Sequence, residues 1–397
     1  MDVPKFDALV LKWAREKRFG PKIEALRENW AESWEDMTPE MIVKWENGAA
    51  EPTFGQVKAL ARIYKRPLAV FFLDGPPPEK GAPPDLRTIG SRDNKFLSPD
   101  ALLAIRKARR IQEASAVLSE ELHETIAFKY PRFSLSEDPS TLANKVRLDL
   151  AIRFREQAAF KTYEDFFEDL RNKFEHTGII TLKSGLHDSF PTEDCRAFSF
   201  TDQQPYVILV NNKDAEGAKN FSLAHEFAHI LLRESGICNN FNVYNGRHNA
   251  INRVEVFCNQ FAANFLVPSD ELLQHPAMRG KINIVRDELD DLAERLALAF
   301  KVSRVVILRR FLALGRISPG TYEAKVKAWD SESHPRRKGR GRFSLKTTLA
   351  KSGRAFSSLV LDSYRQKKIS YSAVSDYLGV KTKHLPKLEK LIDSHAR

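Results

Sequence analysis

The chain has 397 residues, 42% of them hydrophobic and 29% charged, a balance that excludes a disordered chain or a fibre and fits roughly two to four folded domains. Its three cysteines, Cys195, Cys238 and Cys258, form no CxxC pair; this argues against a disulfide framework or a thiolate zinc knuckle and for a reducing, cytoplasmic address. The net charge of +11 sits at one end, because residues 331–397 carry 16 Lys and Arg against 5 Asp and Glu while the first 330 balance at 47 against 47.

The opening MDVPKFDALVLKWAREK is acidic where a signal peptide needs basic residues. Residues 1–75 read as a bundle of short helices, with LVLKWAREKR and TFGQVKALARIYK apolar at helical spacing and KWENGAAEPT turning between them. PLAVFFL at 67–73 is too short to span a bilayer, so no membrane is expected. A Pro/Gly-rich linker follows at 76–97. Ser98 as N-cap and Pro99 at the first helical position then open a helical connecting region, 98–159.

From 160 to 330 the texture changes. A helix, YEDFFEDLRNKFEHTG, is closed by Gly178, and three strand-like stretches follow: IITLKS, CRAFSFT and PYVILVNN. The next apolar stretches, FSLAHEFAHILL and NRVEVFCNQFAANFLVP, are helical, the second stopped by Pro268; DELDDLAERLALAF and SRVVILRRFLALG add two more helices. A basic linker at 331–344 leads to a basic helical domain at 345–397, in which Tyr371, Val374, Tyr377 and Leu378 make one apolar face.

FSLAHEFAHILL carries the chemistry. Residues four apart on a helix are separated by about 40° around its axis, so His225 and His229 point the same way and can share one metal ion. Glu226, beside the first ligand, is suited to be the general base, which is the HExxH arrangement of zinc-dependent proteases. As core histidines with no metal, each ring would need its own partner, and Glu226 would be a costly buried carboxylate. Catalytic zinc takes three protein ligands and an open position. Glu255, within the apolar run of the next helix, is the favoured third ligand; His248, in the loop NGRHNA, is its rival. Asn259, one turn beyond Glu255, is suited to hold a ligand histidine in place.

The stretch from about 160 to 275 resembles the ImmA/IrrE family of metallo-endopeptidases, through AKNFSLAHEFAHILL followed by VEVFCNQFAANFLVPSDEL. The resemblance implies an α+β, mostly helical fold: a zincin-like metallopeptidase domain with a small sheet, flanked by helical, helix-turn-helix-like domains. It implies one Zn2+ per chain on His225, His229 and Glu255 in gluzincin fashion, with Glu226 as catalytic base. Tyr244 and His248 are candidate donors to the reaction oxyanion. The substrate implied is a protein, repressor-like or antitoxin-like.

Residues 1–75 resemble the XRE-like helix-turn-helix module of longer family members, yet 12 basic residues face 12 acidic ones there, and the presumed reading helix offers one cation, Lys44, as DNA contact. DNA through the amino- or carboxy-terminal helices is therefore a second candidate partner. The competing function is a DNA-binding transcriptional regulator whose zincin-like domain senses or merely holds metal.

Overall fold

The computed structural model describes residues 6–21, 23–28, 37–64, 66–77, 98–124, 126–185, 190–192, 194–234, 237–238, 250–281, 284, 287–332 and 345–393. Most of the linkers expected at 76–97 and 331–344 lie outside these residues. The amino-terminal helices are α1 (Ala8–Phe19), α2 (Ile23–Glu28), α3 (Pro39–Glu46) and α4 (Phe54–Ile63). Their starts are dictated locally: Asp7 caps α1, Thr38 caps α3 ahead of Pro39, and Thr53 and Gln56 form a capping box on α4. They share a core of their own around Val10, Leu11, Ile42, Trp45, Leu60 and Phe71. A buried Arg15–Glu46 ion pair at 2.7 Å ties α1 to α3.

The next helices are α5 (Pro99–Glu121), α6 (Pro139–Asp149), α7 (Phe154–Ala159) and α8 (Tyr163–Glu175). Ser98 caps α5, its Oγ accepting from the Ala101 N–H at 3.3 Å. Four strands then form one sheet in the order β1-β3-β2-β4: β1 (Ile179–Lys183), β2 (Ala197–Phe200), β3 (Tyr206–Val210) and the two-residue β4 (Ile237–Cys238). β1 runs parallel to β3, and β2 is antiparallel to both β3 and β4.

Every residue of β1, β2 and β3 is buried, because both faces of the sheet are covered. The pleat sorts successive side chains to opposite sides. Ile179, Ala197, Ile208 and Val210 enter one core with α8, α9 (Glu216–Leu232) and α10 (Ala250–Leu266). Ile180, Leu182, Phe198, Phe200, Val207 and Leu209 enter a second core with α5 and the carboxy-terminal helices. The first core also takes Phe128, Leu142 and Val146, so it begins well upstream of residue 160. It continues through α11 (Ser269–Gln274), α12 (Leu289–Phe300), α13 (Arg304–Ala313) and α14 (Pro319–Glu332).

The carboxy-terminal helices are α15 (Leu345–Ser352), α16 (Arg354–Arg365), α17 (Tyr371–Leu378) and α18 (Leu385–Asp393). They do not stand apart from the sheet: Phe356, Leu359, Val360, Val374, Leu385 and Leu388 are buried in its second core. The Glu175 carboxylate joins the two parts, accepting from the Thr181 hydroxyl at 2.7 Å and from the Ala355 N–H, in the first turn of α16, at 3.1 Å. Gly353 makes that approach feasible. Its φ is +76°, and a Cβ there would lie 2.8 Å from the Thr181 carbonyl oxygen. Among the described residues no helix is long and apolar enough to cross a membrane.

Candidate metal centre

All residues from Gly217 to Leu232 of α9 are buried, between the sheet on one side and α8 and α10 on the other. Phe227 fixes its depth, stacking on Phe174 of α8 with ring centroids 4.0 Å apart. The helix stops at Arg233, whose left-handed φ of 58° ends the ladder just past the HExxH turn. Its partner α10 turns Phe257, Phe261 and Phe265 into the same core, so the two helices lie against each other.

This packing brings His225, His229 and Glu255 to one point. The two histidine Nε2 atoms are 3.1 Å apart. Glu255 reaches across from α10, with Oε2 3.3 Å from His225 Nε2 and Oε1 3.3 Å from His229 Nε2. One ligand atom from each residue lies within 4.8 Å of the others. Two ligands at 2.0–2.1 Å from a tetrahedral ion sit roughly 3.3 Å apart, so all three separations fit the edges around a single cation. Two imidazoles and a carboxylate are also the donor set of catalytic, not structural, zinc sites.

The electrostatics follow from burial. Both imidazoles are withdrawn from water, whereas the Glu255 side chain keeps 18% of its exposure. Burial would raise the Glu255 carboxyl, but the charge of His229 and hydrogen bonds from both rings outweigh it and hold it well below the usual carboxylate range. Burial lowers His225 against the pull of Glu255. For His229 burial acts the same way but is overcome by the neighbouring Cys258 and Glu255, which push it up. Glu226 is completely buried, and that burial raises its carboxyl to about 7 against the opposing pull of His229 and of a hydrogen bond from Ser199.

Ser199, in the middle of β2, donates its hydroxyl to Glu226 Oε2 at 2.7 Å, while among the described residues Oε1 has no hydrogen-bond partner. The sequence reading passed over this residue. The signal was the single hydroxyl between two phenylalanines in AFSF: with Phe198 and Phe200 facing the second core, Ser199 must face α9. It also passed over Arg309, a buried cation on α13 that donates to Asn259 Oδ1 at 3.2 Å, covers the Phe221 ring at 5.3 Å and disfavours charge on His225. Two adjacent arginines inside the apolar SRVVILRRFLALG were its trace. Asn259 does lie one turn beyond Glu255 on α10, buried, with its carboxamide oxygen engaged by Arg309. Tyr244 and His248 lie outside the described residues. Lys44 is exposed on α3 and takes no part in the cluster, which draws only on α9 and α10.

No curated protein and no solved structure matches the chain. Residues 152–312, which contain both helices of the cluster, match the family model described as the IrrE N-terminal-like domain, Peptidase_M78, and that match supports a metallopeptidase-type function.

Proposed function

We propose that the protein is a zinc-dependent endopeptidase of regulatory type, hydrolysing peptide bonds in a specific protein partner. The observation that carries this reading is the convergence of Glu255 on both imidazoles, each contact at 3.3 Å, beside a buried glutamate with one oxygen unengaged. His225, His229 and Glu255 would hold the ion. Zinc in such a site supplies Lewis acidity, polarising a peptide carbonyl and making a coordinated water acidic near neutral pH. Glu226 is the base: Ser199 fixes Oε2, which leaves Oε1 to accept the proton of the attacking water and deliver it to the departing amide nitrogen. Burial raises the Glu226 carboxyl and so favours its holding the proton for this return step.

The resemblance to ImmA/IrrE proteins supports a repressor-like or antitoxin-like substrate in the cytoplasm. The test pairs metal analysis with cleavage. Native protein should carry about one zinc per chain and cut the protein encoded beside it. Glu226→Gln should keep the zinc and lose about 10²- to 10⁴-fold in rate, and Glu255→Ala should lose the zinc. Equal cleavage by native protein and Glu226→Gln would overturn the reading.

A further inference from the structure

The basic excess of the chain has a definite address at its carboxy-terminal end. α17 and α18 are joined by a short turn, in which Gly379 is left-handed at φ +62° and a single 3₁₀ turn covers Thr382–His384. Val374, Leu378, Val380, Leu385 and Leu388 are all buried. Two of these lie a turn apart on the first helix, one just after the glycine and two on the second helix, so they pack the pair around a glycine-containing turn, the arrangement of a helix-turn-helix. α16 supplies the floor on which both helices rest.

The outward side of the second helix is a different surface. Thr382, Lys383, Pro386, Lys387 and Lys390 are exposed, and their spacing puts them along one stripe of α18 and the turn before it. Lys381 is exposed beside them, and among the described residues none of these four lysines is in an ion pair. The acidic Asp393 of α18 is directed elsewhere, bound by the Arg365 guanidinium at 2.8 and 3.0 Å. A row of exposed cations with no acidic partner complements a polyanion.

We infer that this helix-turn-helix binds duplex DNA, with α18 entering the major groove and Lys383, Lys387 and Lys390 meeting phosphates at its walls. The groove, about 12 Å wide, admits one α-helix. The stripe presents cations along the whole helix, with Thr382 and Pro386 on its flank. On α3, by contrast, the exposed Lys44 stands one turn from the exposed Glu40. Neither the metal cluster nor peptide hydrolysis is needed for this binding.

The experiment uses the full chain carrying Glu226→Gln, so that proteolysis plays no part, and a labelled duplex of about 30 base pairs followed by fluorescence anisotropy. Affinity is measured between about 50 and 200 mM salt. Replacing Lys383, Lys387 and Lys390 together by alanine should weaken binding and reduce the slope of log K against log salt by about 2.7, or about 0.9 for each phosphate that no longer meets a lysine. Lys44→Ala should leave both unchanged. The same affinity and slope for the triple variant would overturn the inference. So would loss of binding only when the arginines and lysine of 336–342 are replaced, or displacement of the duplex by poly-glutamate at equal charge, which would make the face a dock for acidic protein.

Discussion

Glu226 is a carboxylate in a place where carboxylates are expensive: fully buried, flanked by two imidazoles, and held by the Ser199 hydroxyl. That donor comes from the sheet and not from the helix that carries the motif. Removing that donor should therefore act on the base without touching the metal ligands. Ser199→Ala is expected to lower kcat roughly ten- to a hundredfold, the value of one hydrogen bond to a charged group, with KM nearly unchanged. The Ser199 hydrogen bond opposes the upward push of burial on Glu226, so its loss raises the carboxyl further. A base works only when deprotonated, and the acidic limb of the kcat–pH profile should consequently move to higher pH. Ser199→Thr, which keeps the hydroxyl, should restore both. Unchanged kcat and pH profile in Ser199→Ala would show that the hydroxyl does not position the base.

At the scale of elements, much was legible and some was not. The two helices that carry the candidate metal centre follow from apolar spacing, and the three main strands from short apolar runs between turn residues, because these patterns are local. His225, Glu226 and His229 declared themselves by charge inside oil. Glu255 did so less directly, through its position on an apolar helix that needed a neighbour. What could not be read was which face each amphipathic helix covers. Val374 and Leu378 predict a buried side for α17 but say nothing about the sheet they cover, and α6 contributes Leu142 and Val146 to a core whose other members lie far along the chain. Ser199 escaped for the same reason, since its partner is 27 residues away on another element. The packing itself is testable through Phe227, whose ring lies against Phe174, Phe128 and Tyr130. Phe227→Ala should cost about 3–5 kcal/mol in urea unfolding and, by loosening α9 between its neighbours, reduce metal affinity as well. Stability within about 1 kcal/mol of the native protein would mean that α9 is not anchored there.

For the whole molecule the sheet is the organising object. One face carries the helices of the metal cluster, and the other is closed by α5 and the carboxy-terminal helices. A chain ending at residue 344 would leave Ile180 and Leu182 of β1 without α15 and α16, which pack against that strand. An exposed apolar patch of that kind drives association. The shortened chain should accumulate as insoluble protein or purify as large aggregates by size-exclusion chromatography; a soluble monomer with native metal content would contradict this account of the second core.

The anchoring of Ala355 by Glu175 carries a temporal meaning as well. A ribosome makes the strands and the HExxH helix long before it makes the segment that completes them. Throughout that interval only α5, among the described helices, lies on the second face of the sheet, whose remaining cover is still to come. An early stop codon or a stalled message would thus yield a product with an open apolar face for quality control to remove.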